Sequence, residues 1–128
     1  MINANCNIIL VESALYNIAF QVSAKVFGGV RPLVTDDTMG SFIVVKVTGT
    51  MVDWSAYGRG MATFYIYAKN LQGGIRDNPT LATLGQKLKD LLPSNDGTYL
   101  IEYHGETGFP DNNGFYVIAV NTYVTVLN

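Results

Sequence analysis

Met61-Ala62-Thr63-Phe64-Tyr65-Ile66-Tyr67-Ala68-Lys69 sorts its large side chains by alternation, Phe64 and Ile66 to one side, Tyr65 and Tyr67 to the other. That period of two is the signature of a strand, here one with apolar groups on both faces. Upstream, Phe42-Ile43-Val44-Val45-Lys46-Val47-Thr48 is β-branched and ends at Gly49, which predicts a second strand. The two are expected to pair as neighbours, with Thr50 to Gly60 as a long loop at their tip. Downstream, strands are predicted over Thr98 to His104 and Phe115 to Leu127. The last of these puts Tyr116, Ile118, Val120, Val124 and Val126 on one face, and Phe115, Val117, Ala119, Asn121 and Tyr123 on the other. Between these two strands lies a loop of Gly, Pro, Asp and Asn. It ends in Asp111-Asn112-Asn113-Gly114, whose residue types supply the positive φ of a tight reversal.

Two helices frame the strands. Ile8, Val11, Leu15, Ile18 and Val22 step by three and four, which predicts a helix from about Asn5 to Phe27, roughly 34 Å long. Asn5 or Asn7 caps its start, and Gly28-Gly29 stops it. The second helix opens on Asn78 as N-cap and Pro79 at the first helical position, where a missing N–H costs nothing. Leu81, Leu84, Leu88, Leu91 and Leu92 form its apolar stripe, and Pro93 ends it. The expected fold class is α+β in the order α-β-β-α-β-β, with two helices packed on one face of a four-stranded, mostly antiparallel sheet. Residues 1–128 form a single domain in this reading. The other sheet face then carries Tyr65, Tyr67, Phe115 and Tyr123, an aromatic surface suited to contact between copies.

Composition narrows the function. Apolar residues are 48% of the chain and charged residues 14%, a balance opposite to that of disordered proteins. Eight Lys and Arg against ten Asp and Glu give a net charge of -2, and the pI is about 5.1. No positive groove for nucleic acid is expected from that charge, so the aromatic residues read as sheet packing. One cysteine excludes a disulfide framework. The longest unbroken apolar run in the N-terminal region, Ile8 to Val11, is too short for a bilayer span or a signal-peptide core, and it lacks a basic start. The expectation is a soluble intracellular protein with no membrane partner.

The residues that carry chemistry are scattered. Cys6 and His104 are each the sole residue of their type, and nothing local marks Cys6 as an activated thiol. A small buried apolar group is the better reading of a free cysteine near a helix start. Asp36-Asp37, Asp53, Glu102, Glu106 and Asp111 offer oxygen ligands, but the Asp111 turn has its glycine at the fourth position and Thr122 at the twelfth, against the pattern of a calcium loop. Gly58-Arg59-Gly60 starts like a dinucleotide fingerprint, then meets Thr63 and a strand; it reads as a flexible loop presenting one charge. Glu102 and Glu106 straddle a strand end and read as solvated charge. No catalytic residue, metal site or cofactor is assigned.

With the long leading helix, the Arg31-Pro32 connector, the strand Met61 to Asn70, the Asn78-Pro79 helix start and the closing strand with Val120-Asn121 and Val124 in place, the chain resembles the tail-terminator (tail-completion) proteins of long-tailed bacteriophages. The resemblance implies a structural role and no enzyme activity. Such a protein forms a ring, expected to be a hexamer, that caps the tail tube, stops its polymerisation and meets the head connector. Its place is the tail–head junction of the virion, after assembly in the host cytoplasm. The implied partners are further copies of the chain, the tail-tube protein and a head connector or neck protein. Ring contacts are heterologous and need two different adhesive surfaces on each subunit. Trp54, Tyr57 and Arg59 belong to residue types enriched at binding hot spots; with Tyr65, Tyr67 and Tyr123 they are the candidate contacts to the tube or to a neighbouring subunit. Rival readings are another neck or connector protein, a dimeric interaction module, and a small-molecule-binding or enzymatic α+β domain. The last predicts a deep pocket that gathers Cys6, His104 or Asp36.

Overall fold

A computed structural model describes residues 3–29, 40–54, 56–111 and 113–127. In chain order the elements are α1 (Ile8–Ala19), β1 (Val26–Gly28), β2 (Ser41–Val47), β3 (Val52–Asp53), β4 (Gly58–Lys69), α2 (Asn78–Asp90), β5 (Ser94–Asn95), β6 (Tyr99–Asp111) and β7 (Phe115–Val126). One curled sheet runs β1-β2-β4-β7-β6-β5, with β3 pairing to β4 beside β2. The expected four-stranded sheet is therefore incorrect. Among the described residues the sheet has seven strands, and strand is the dominant structure.

Each added strand has a local cause. The first helix ends at Ala19, well short of Phe27, because the chain closes with the Gln21 and Val22 amides bonding the Ile18 and Ala19 carbonyls, the tightened last turn of a frayed end. Val26 and Phe27, β-branched and aromatic, then run parallel to β2, with Val26 opposite Ile43. Gly28-Gly29 thus terminates a strand, and the glycines are no helix stop. Inside the predicted loop, Val52-Asp53 folds back on Gly58-Arg59, so β4 begins three residues before Met61. The predicted Gly/Pro loop after His104 is also strand: β6 continues to Asp111 because the twelve residues of β7 offer it a continuous ladder. Gly105, Gly108 and Pro110 are tolerated there because, among the described residues, β6 is an edge strand along that stretch. The cost of the composition is a register shift between Tyr103 and Gly105, a bulge that holds His104 out of the pairing.

The helix caps and the last turn divide between expectations met and corrected. The Asn7 side chain caps α1, accepting from the amides of Ile9 and Leu10 at 2.9 and 3.3 Å. Asp77, one residue earlier than expected, caps α2 by accepting from the Thr80 amide at 3.3 Å and the Thr80 hydroxyl at 2.7 Å. The reversal at Asp111 is a turn: its carboxylate accepts from the Asn113 amide at 3.0 Å, and Gly114 takes a φ of 84°. The Arg31-Pro32 connector and Asp36-Asp37 lie outside the described residues.

Both helices feed one core. Val11, Leu15 and Ile18 of α1 and Leu81 and Leu88 of α2 pack with Ile43, Val45, Phe64, Ile66, Val120 and Val124. Ile8, expected on that stripe, is exposed at the helix start. The alternation read from β4 and β7 is kept, since Phe64 pairs with Val120 and Ile66 with Ile118 on the helix side.

Candidate functional site: the outer face of the sheet

Away from the helices, β4 and β7 stack their side chains in rungs: Tyr67 with Val117, Tyr65 with Ala119, Thr63 with Asn121, Met61 with Tyr123 and Arg59 with Thr125. The middle rung is polar. Thr63, only 2% exposed, donates to Asn121 Oδ1 at 3.0 Å and shares a 3.2 Å hydrogen bond with the Thr48 hydroxyl. This rung divides the face into two halves with different fates.

On one side Tyr65 and Tyr67 join a second, smaller core. The Tyr67 ring stacks on Phe42 with centroids 4.5 Å apart and planes 11° apart, and Phe115 and Phe27 meet Phe42 edge-on at 5.5 and 5.8 Å. Phe42 and Phe115 are fully buried, and both tyrosines are half-buried against them. These two tyrosines pack inward, so they make poor first contacts for a partner.

On the other side the residues stay open. Trp54 and Tyr57 form the tip of the β3–β4 hairpin, where the Trp54 amide donates to the Tyr57 carbonyl at 2.9 Å and the rings lie 5.1 Å apart. The Arg59 guanidinium sits 5.1 Å above the Tyr123 ring, and the His104 ring centroid lies 4.3 Å from that of the same tyrosine, with Nε2 3.4 Å from the tyrosine hydroxyl. Trp54 is 52% exposed, Tyr57 45%, Val52 39% and Met61 37%. A shallow cavity of about 280 Å³ opens among Val52, Trp54, Arg59, Met61 and Tyr123. Of the six candidate contacts, the structure thus brings together Trp54, Tyr57, Arg59 and Tyr123 and sets Tyr65 and Tyr67 apart. Sequence reading missed Val52, Met61 and His104. For Val52 the missed signal was alternation with Trp54 in a short strand; for His104 it was a bulge, which leaves no periodic trace.

The hairpin is held from behind. The Asn3 amide donates to Asp53 Oδ2 at 2.8 Å, the Cys6 thiol lies 3.7 Å from the Val52 carbonyl, and the Tyr99 hydroxyl donates to the Asn5 carbonyl at 2.8 Å. Gly58 and Gly60 belong to this strap and have no positive φ, so the triplet is no flexible loop. A Cβ on Gly58 would come within 2.6 Å of Cys6 Sγ, and one on Gly60 within 2.2 Å of Met51 Sδ. The glycines mark close approach by neighbouring side chains.

The thiol and imidazole are on opposite sides of the sheet: Cys6 backs Gly58 on the helix face, and His104 meets Tyr123 on the outer face. Burial, reinforced by the Asp53 carboxylate, raises the Cys6 pKa above its ordinary value. That keeps the protonated thiol, the reverse of what a nucleophile needs. Among the described residues no group of three His, Cys, Asp or Glu side chains is placed to hold a metal ion, and no helix is long and apolar enough to cross a membrane. Asp36, the third residue of the pocket reading, lies outside the described residues. No family model matches the chain, and no curated protein matches its sequence.

Proposed function

We propose that this protein acts by adhesion, as a tail-terminator-like structural protein. Its copies close into a ring, expected to be hexameric, that caps a tail tube and meets a head connector, at the tail–head junction of a virion. The observation that carries the reading is the open half of the outer face, where Trp54, Tyr57, Val52 and Met61 are exposed together beside Arg59 and Tyr123. Tryptophan, tyrosine and arginine are the side chains that contribute most when desolvated in an interface, and a patch of this kind marks an interaction surface. A second apolar surface, Ile8, Ile9 and Leu10 at the start of α1, gives a different patch on the same subunit, as head-to-tail closure requires.

Light scattering and electron microscopy of the purified protein, alone and with tail tubes, test the proposal. Annular particles, formed freely or on tube ends, are expected. The Trp54→Ala/Arg59→Ala variant should keep the circular dichroism and melting behaviour of the parent, because both side chains are exposed, while losing the rings. Normal rings from that variant would remove the hairpin from the interface. Monomers that ignore tube ends would remove the ring.

A further inference from the structure

A second surface, on the opposite face, offers a different kind of contact. Beyond Ile101, no strand among the described residues pairs with the outer edge of β6, since β5 covers only Leu100 and Ile101. From Glu106 to Pro110 its residues are exposed. Along this stretch, on the helix side, a groove of about 280 Å³ runs between α2 and the sheet. Leu81, Ala82 and Gly85 make one wall, and Tyr116 and Ile118 the floor. Tyr116 lies across Gly108, where a Cβ would come within 2.8 Å of the tyrosine hydroxyl. Toward the β6 edge, Glu106 is the one β6 residue among those described that lines the groove.

The charges at the two ends differ in their commitments. Lys89 is occupied by Glu106 at 2.7 Å. At the other end the Arg76 guanidinium lies 4.7 Å above the Tyr116 ring, and its Nε donates to Asn78 Oδ1, a neutral amide. Its cationic charge faces the groove with no carboxylate among the described residues to balance it. Tyr116 pairs with Pro110, so this cation stands at the Pro110 end of β6.

We propose that the edge of β6 and this groove together dock an extended segment of another polypeptide, one that opens with an acidic residue and continues with alternating apolar residues. The segment adds antiparallel to β6, in the sense already begun by β5, and its backbone takes up the unpaired edge groups. Running antiparallel, its first residues lie beside Pro110, where a carboxylate meets Arg76. Alternate apolar side chains then lie over Ala82 and Gly85. This contact uses neither Trp54 nor Arg59, and it stands or falls apart from the ring.

The test uses the intact protein and two synthetic peptides, Glu-Thr-Leu-Thr-Leu-Thr and the same peptide headed by lysine, each blocked at both ends. Hydrogen exchange of the Glu106 to Phe109 amides reads strand addition directly. The acidic peptide should slow the outward-facing amides of this stretch, and the lysine-headed one should bind at least about tenfold more weakly. In Arg76→Glu, which alters an exposed side chain outside α2, the preference should reverse. The reversal also shows that the variant is folded. Equal binding of the two peptides, no slowing with either, or an Arg76→Glu protein that keeps the parent's preference would overturn the proposal. So would slowing that grows with protein concentration in the absence of peptide, which would assign the edge to a second copy of the chain.

Discussion

At the scale of single residues, the hairpin is set by what two glycines allow. Gly58 lets Cys6 and Val126 close behind the strand, with a hypothetical Cβ 2.6 Å from the sulfur and 3.3 Å from the valine Cβ. Gly58→Ala is therefore expected to lower stability by about 1–3 kcal/mol, the usual range for overpacking a closed site. Gly60→Ala should cost less, because the nearest obstacle is the flexible side chain of Met51. Urea unfolding of both variants checks the order, and adding Cys6→Ala to Gly58→Ala should restore part of the loss, as coupled neighbours do. An insensitive Gly58 would mean that the strap yields freely. In the sequence the same triplet looks like a mobile loop, because Gly-Arg-Gly has no side chain that announces a neighbour; only the spacing of two hints that both glycines share a face.

At the scale of elements, what was legible depended on whether a segment carried its own pattern. The leucine stripe and Pro79 define α2, and the alternation in β4 and β7 assigns their faces, because burial on one side imposes a period that the chain must display. The short strands β1, β3 and β5 display none: two or three residues pair because a longer strand beside them offers an edge. The far half of β6 is hidden for the same reason, its glycines and Pro110 carried by β7. Caps sit between these cases. Asn7 was readable, but Asp77 takes the α2 cap from Asn78 because its carboxylate reaches both the amide and the hydroxyl of Thr80. Asp77→Ala is expected to destabilise by about 1 kcal/mol, and Asn78→Ala by clearly less, as the difference in thermal midpoint will show.

For the whole molecule, three ionisable groups among the described residues bear on stability in one direction. Burial raises the pKa of Cys6 and Tyr99, with help from Asp53 and Asp96, and the hydrogen bond to Glu106 raises that of Lys89. Each folded-state pKa lies above its unfolded value, so around and above about pH 8.5, where an unfolded thiol is half ionised, the native state binds more protons than the unfolded one. Stability is then fully present near neutrality and falls as pH rises through the thiol, phenol and ammonium ranges in turn. Denaturant midpoints should decline from about pH 8.5 upward, and Cys6→Ala should delay the onset. A midpoint that rises with pH in this range would contradict the packing around Cys6.

A side chain on a free loop must give up its wandering when a partner arrives, and that entropic loss subtracts from the affinity of every contact it makes. Trp54 arrives with its backbone already fixed through Asp53 and the Tyr57 carbonyl. Severing the strap, for instance with Asp53→Ala, would leave the aromatic surface chemically intact yet make it a weaker and slower adhesive, because the tryptophan would have to be caught before it could be held.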